Sequence, residues 1–136
     1  MSEESGDRDG RLDALFCPDS VAVIGASRSE EKIGHAVLKS IVDSGFGGEI
    51  YPVNPEAEKI LGFRAYGSVT DVPGALDLAV IVLPAEIVVD VMEECGEKGV
   101  KAVIVISAGF EEVGKEGAER QRRLMEIADE QGVRVL

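Results

Sequence analysis

Basic residues, histidine and cysteine are scarce in this chain, and each shortage removes a class of function. Fourteen Lys and Arg stand against 26 Asp and Glu, a formal net charge of −12. That balance argues against partners that are themselves polyanions, nucleic acid and anionic membrane surfaces foremost. A single histidine, His35, with no cluster of metal-ligating residues around it in sequence, argues against a structural metal site. The two cysteines, Cys17 and Cys95, lie far apart with no CxxC pattern, so two reduced and mostly buried thiols are expected. No apolar run reaches the length of a membrane span. Met1–Arg11 is charged and has no apolar segment of the signal-peptide type, which points to a cytoplasmic protein.

What is present is ample hydrophobicity, 45% of 136 residues, enough for one domain with a real core. We expect a frayed polar tail over 1–11 and a single domain over 12–136. The organising stretch is Ser20–Gly34, SVAVIGASRSEEKIG. Val21, Ala22, Val23 and Ile24 read as a strand buried on both faces, as in the middle of a parallel sheet. Gly25 ends it, and a loop of small and polar residues, Ala26-Ser27-Arg28-Ser29, leads to a helix. Unpaired N–H groups of such a loop and of the first helical turn form an anion cradle. A phosphate-bearing nucleotide is the expected occupant, with Arg28 and Lys32 as local cations in an acidic chain.

Along the chain, Leu12, Leu15 and Phe16 suit a short helix before the first strand. The first long helix is expected from about Lys32 to Ser44, with Ile33, Ala36, Val37, Ile41 and Val42 on its apolar stripe and Gly45 ending it. Glu49–Val53 reads as a second strand whose Pro52 suits an edge. Glu56–Leu61 reads as a helical turn closed by Gly62, Phe63–Tyr66 as a short extended piece, and Ser68–Pro73 as a linker with room for one helical turn. Asp77–Leu83 carries the strongest strand pattern, and Pro84 terminates it. Ala85–Lys98 reads as a helix with Ile87, Val88, Val91, Met92 and Cys95 on one apolar face and Gly99 as its cap. Lys101–Ile106 is a fourth strand. A last helix over about Gly117–Gln131 buries Leu124, Ile127 and Ala128, with Met125 also assigned to the core, and Val133–Leu136 begins a fifth strand. Strands alternating with helices give an α/β, Rossmann-like, doubly wound parallel sheet in three layers. Ligands of such sheets bind at the carboxyl ends of the strands. Gly25–Gly34, Val53–Pro55, Leu83–Ala85 and Ser107–Phe110 are therefore expected to share one rim.

The default ligand of this fold is a nicotinamide dinucleotide, and two features speak against it. The G-x-G-x-x-G fingerprint is missing: Gly25 is followed by Ala26-Ser27, and the next glycine is Gly34. The acid that usually ends the second strand and holds the ribose hydroxyls is replaced by Asn54. A neutral amide there tolerates a ribose 3′-phosphate, such as coenzyme A carries. His35 lacks an orienting partner for catalysis, and Ser107 has no histidine to activate it as a nucleophile. Glu111 and Glu112 read as a solvated face.

The segments LFCPDSVAVIGASRSEEKIGHAVLKSI, IYPVNPEAEKILGFRAYGSVTDVP, DLAVIVLPAE and KAVIVISAGFEEVG together resemble one known domain. It is the coenzyme A-binding domain that opens the nucleoside-diphosphate-forming acyl-CoA synthetases, among them the ADP-forming acetate–CoA ligases, a family related to the succinyl-CoA synthetase α subunit. The resemblance implies roles for matching positions. Ser27 and Arg28, with the backbone of Gly25 and Ala26, would hold the diphosphate of coenzyme A. Lys32, Ile33 and Gly34 would close the helix start around it. Val53, Asn54 and Pro55 would flank the adenosine, Leu83, Pro84 and Ala85 the pantetheine arm, and Ser107, Ala108 and Gly109 the thiol end. Such a module binds coenzyme A or acyl-CoA and makes no acyl-CoA by itself. The family's second, flavodoxin-like domain with its phosphorylated histidine, and its ATP-grasp module, have no counterpart here. The chain halts at the fifth strand, before the Gly-Pro-Asn segment usual in the family. The parent of such a piece is a synthetase or a lysine acetyltransferase sharing the domain, and a naturally stand-alone binder is the other reading. Two rival functions remain at this point, an NAD-binding or redox-sensing Rossmann domain and a ligand-free regulatory subunit.

Overall fold

The computed structural model describes residues 18–106 and 115–135, with side chains from residue 118 onward in the second stretch. The expected 1–11 tail, the helix around Leu12–Phe16, Cys17 and the segment Ser107–Glu112 lie outside the described residues.

Five strands form one parallel sheet in the order β2-β1-β5-β6-β7. They are β1 (Ser20–Ile24), β2 (Glu49–Val53), β5 (Leu78–Ile81), β6 (Ala102–Val105) and β7 (Arg134–Val135). The α-helices among the described residues are α1 (Ile33–Asp43), α2 (Ala85–Lys98) and α3 (Lys115–Gln131). β1 is buried along its whole length, as its unbroken apolar run requires. Its residues alternate between faces. Ala22 and Ile24 pack with Val88, Met92 and Cys95 of α2 and with Leu124, Ile127 and Ala128 of α3. Val23 packs with Leu38 of α1 on the opposite face, and Val21 with Val37 and Ile41. The result is the three-layer doubly wound architecture the sequence predicts. β2 is an edge strand, where Pro52 forfeits no central ladder bond.

The chain runs from β1 to β2 on one side and then crosses back to β5 on the other. This reversal of strand order puts a crevice above β1, between the exits of β1 and β5.

Three local expectations are corrected. Glu56–Leu61 is no helical turn: β3 (Lys59–Ile60) and β4 (Phe63–Arg64) pair antiparallel around Leu61–Gly62, both at positive φ. Only Ile60 of that stretch is buried, and an alternating exposed–buried pair is served by a strand. α1 buries Gly34, His35 and Leu38, while Ile33 is 61% exposed and Ala36 is exposed. Met125 is 49% exposed, because a residue one position beyond Leu124 lies 100° further round the helix, away from α2. A 3-10 turn at Val69–Asp71 fills the anticipated linker. Among the described residues, no helix is long and apolar enough to cross a membrane.

Candidate functional site

Backbone pairing ties the exits of β1, β2 and β5 together. The Gly25 N–H donates to the Val53 carbonyl (3.1 Å), and the Val82 N–H donates to the Ile24 carbonyl (2.7 Å). Gly25 itself sits at φ +101°, and a Cβ there would overlap the Val82 carbonyl. No other residue fits that position. A Cβ on Gly34 would overlap the Gly25 carbonyl oxygen and come within 3.2 Å of the Ala26 Cα. The first turn of α1 thus rests directly on the Gly25–Ala26 peptide. Gly34 performs the close helix–strand packing that the last glycine of a dinucleotide fingerprint provides, nine positions after Gly25.

The loop between β1 and α1 is braced from two sides. Asn54 Nδ2 donates to the Ala26 carbonyl (2.9 Å), and Asn54 Oδ1 accepts from the Glu56 N–H (2.7 Å). His35 Nδ1 lies 2.9 Å from the Ser27 carbonyl. Because a carbonyl only accepts, Nδ1 carries the proton. Ser27 Oγ accepts from the Ser29 N–H (3.0 Å). Among the described residues, no hydrogen bond engages the N–H groups of Ala26, Ser27, Arg28, Ile33 or Gly34.

Above this loop lies a cavity of about 1190 Å³. Gly25, Ala26, Ser27, Lys32, Ile33 and Gly34 form one wall, Val53, Asn54 and Pro55 a second, and Leu83, Pro84 and Ala85 a third. The three described groups of sequence-predicted residues therefore do share one rim. Arg28 is exposed on the same loop but is not part of the wall. Ser107, Ala108 and Gly109 lie outside the described residues.

The far wall was not anticipated. Gly67, Ser68 and Val69 line the cavity beside Ile87, Val91 and Glu94, and Ser68 Oγ donates to Glu94 Oε1 (3.2 Å). Of the residues assigned to the apolar face of α2, Ile87 is 43% exposed, and Val91 is half-buried and packs against the core. The spacing 87, 91, 94 marks a second face of α2, and that was the available signal. Among the described residues, the charged lining comprises Glu31, Glu56, Glu86 and Glu94 against Lys32 and Arg120. Cys95, beneath this wall, is buried, and desolvation followed by the neighbouring Glu94 charge pushes its thiol up to about 12. It is thus an unreactive core residue. Among the described residues, no group of three or more His, Cys, Asp or Glu is placed to hold a metal ion.

A cavity with bare N–H groups at one end and Val, Leu, Ile and Pro walls beyond suits an elongated ligand with a charged centre and an apolar arm. Residues 19–136 match the family described as CoA binding domain. The chain is 50% identical over 121 residues to acetate–CoA ligase (ADP-forming) II of Archaeoglobus fulgidus, covering 89% of this chain and 18% of that protein. It is 49% identical over 129 residues to the α subunit of acetate–CoA ligase (ADP-forming) I of Pyrococcus furiosus, covering 92% and 28%. Among solved structures, the dinucleotide-forming acetyl-coenzyme A synthetase 1 of Ca. Korarchaeum cryptofilum, in complex with phosphate and ADP, superposes with a TM-score of 0.88. That pair is 42% identical, over 93% of this chain and 27% of the other. The chain spans between about a fifth and somewhat over a quarter of the length of these relatives.

Proposed function

This chain belongs to the CoA binding domain family, and from that membership we propose that the cavity above β1 is its coenzyme A site, with the diphosphate seated on the loop from Gly25 to Gly34. The observation that carries this reading is the set of N–H groups at Ala26, Ser27, Arg28, Ile33 and Gly34 that no acceptor among the described residues engages. Each meets a phosphate oxygen in place of water, reinforced by the positive end of α1. Gly25 and Gly34 let the loop and the helix start pack this closely, since a Cβ at Gly25 would overlap the Val82 carbonyl and one at Gly34 the Gly25 carbonyl. Lys32 adds a cation at the helix start, and Arg28 reaches the diphosphate from the exposed side of the loop. Val53, Asn54 and Pro55 flank the adenosine. Leu83, Pro84 and Ala85 guide the pantetheine arm, and Ser107, Ala108 and Gly109 border the thiol.

Coenzyme A supplies the thiol that accepts an acyl group. This chain's residues bind the carrier, hold its diphosphate and direct its tail. Ser68 on Glu94 is the wall's hydroxyl–carboxylate contact, and no described histidine lines the cavity to activate a nucleophile. Acyl transfer is therefore assigned to partners of the acyl-CoA synthetase type, a phosphohistidine domain and an ATP-grasp module, supplied on other segments or subunits, and the whole works in the cytoplasm. The relatives of which this chain spans only a fraction support that division. Isothermal titration with coenzyme A, dephospho-coenzyme A and NADH tests the reading. One coenzyme A per chain is expected, with no heat from NADH. Tighter binding of NADH, or silence with coenzyme A, contradicts it.

A further inference from the structure

Two side chains remote from each other in sequence act on consecutive peptides of the β1–α1 loop, and neither was expected to do so. Asn54, at the exit of β2, donates to the Ala26 carbonyl at 2.9 Å. His35, 8% exposed on α1, donates from Nδ1 to the Ser27 carbonyl at 2.9 Å. The described peptide bonds are all trans, so each C=O and the N–H of the same peptide point in opposite directions. Drawing the Ala26 carbonyl toward Asn54 turns the Ser27 N–H away from it. Drawing the Ser27 carbonyl toward His35 does the same for the Arg28 N–H. Without the two donors these peptides are free to rotate, and either carbonyl can then turn toward the ligand and repel an anion.

We infer that His35 and Asn54 are positioning residues that fix the orientation of the Ser27 and Arg28 N–H groups for an incoming diphosphate. The inference rests on the proposed coenzyme A site and adds to it. On this view Asn54 serves the site chiefly through the loop, since its amide and carbonyl are committed to Ala26 and Glu56. His35 needs no catalytic chemistry to matter: it is a fixed donor.

The test compares His35→Asn, whose Nδ2 reproduces the Nδ1 donor, with His35→Leu, which removes it. Amide spectra are recorded while coenzyme A, and separately inorganic pyrophosphate, is added. In the wild-type chain the Ser27 and Arg28 amides are expected to shift with both ligands. His35→Leu should bind coenzyme A about tenfold more weakly, the loss of one or two well-aligned hydrogen bonds, and His35→Asn should recover most of that loss. If His35→Leu does not fold, Asn54→Ser replaces it: its shorter hydroxyl still accepts from the Glu56 N–H but cannot reach the Ala26 carbonyl, and the same weakening is expected. Wild-type affinity in the folded donor-deleted variant overturns the positioning role and leaves the site standing. Coenzyme A binding that leaves the wild-type Ser27 and Arg28 amides unmoved overturns both the site and the role.

Discussion

Gly34→Ala is the smallest change that should damage both the fold and the site. The added methyl would fall on the Gly25 carbonyl, 2.9 Å from its carbon and 3.2 Å from the Ala26 Cα. All of these are backbone atoms, anchored by the Gly25 N–H on the Val53 carbonyl and by Asn54 on the Ala26 carbonyl, so no side chain can swing aside. The start of α1 must withdraw by on the order of 1 Å to restore ordinary contact. Forced overpacking of this kind costs about 3 kcal/mol, and the better helix propensity of alanine returns about 1 kcal/mol. A net loss of about 2 kcal/mol lowers Tm by about 6–8 °C in a domain of this size. The ligand effect is larger than the stability effect suggests, because the N–H groups of Ile33 and Gly34 move with the helix. Coenzyme A affinity should fall by about 100-fold or more. Thermal denaturation followed by isothermal titration reads both. A Gly34→Ala chain that melts with the wild type and binds coenzyme A within about twofold of it would refute the close approach and the seat built on it.

Other expectations follow from the same geometry. Among the described residues, four carboxylates and two cations line the cavity of a chain carrying a net charge of −12. Affinity for the polyanionic ligand should therefore rise about threefold as KCl goes from about 20 mM to about 500 mM, where screening removes the long-range repulsion. Weaker binding in salt would show that local cations dominate instead. Cys95 should resist thiol reagents at pH 8 until urea unfolds the chain. Its raised value means the folded state keeps the proton while the unfolded thiol, near its ordinary 9.0, loses it, so this contribution to stability is intact below pH 9 and is lost as pH rises from 9 to about 12. Rapid native-state labelling would contradict that burial. Met92→Ala, at a fully buried position, should cost about 3 kcal/mol. Met125→Ala, at an exposed one, should stay within about 0.5 kcal/mol of the wild type, as urea titration will read.

The two methionines show where sequence pattern succeeds and where it stops. β1 was legible because four consecutive apolar residues admit only burial on both faces, and Gly99 ends α2 as its pattern predicts. Met125 and Ile33 were misassigned because periodicity identifies an apolar helix face only to within a residue or so. Which face turns inward is chosen by packing, and at α1 it is chosen by the Gly34 backbone meeting the Gly25 peptide, which has no hydrophobic signature. The rim groups were legible because strand ends in a parallel sheet must gather on one side. The far wall was hidden because Ile87 and Val91 look like core residues, and Ser68 meets Glu94 only through the crossover from β2 to β5. The hairpin around Leu61–Gly62 was missed because turn conformation at Leu61 runs against leucine's own preference.

The most direct test is a crystal structure of the chain with coenzyme A bound. The diphosphate oxygens are predicted within hydrogen-bond distance of the Ser27 and Arg28 N–H groups, with the first turn of α1 pointing at them. A diphosphate seated elsewhere on the rim, with those N–H groups left to water, would contradict the account.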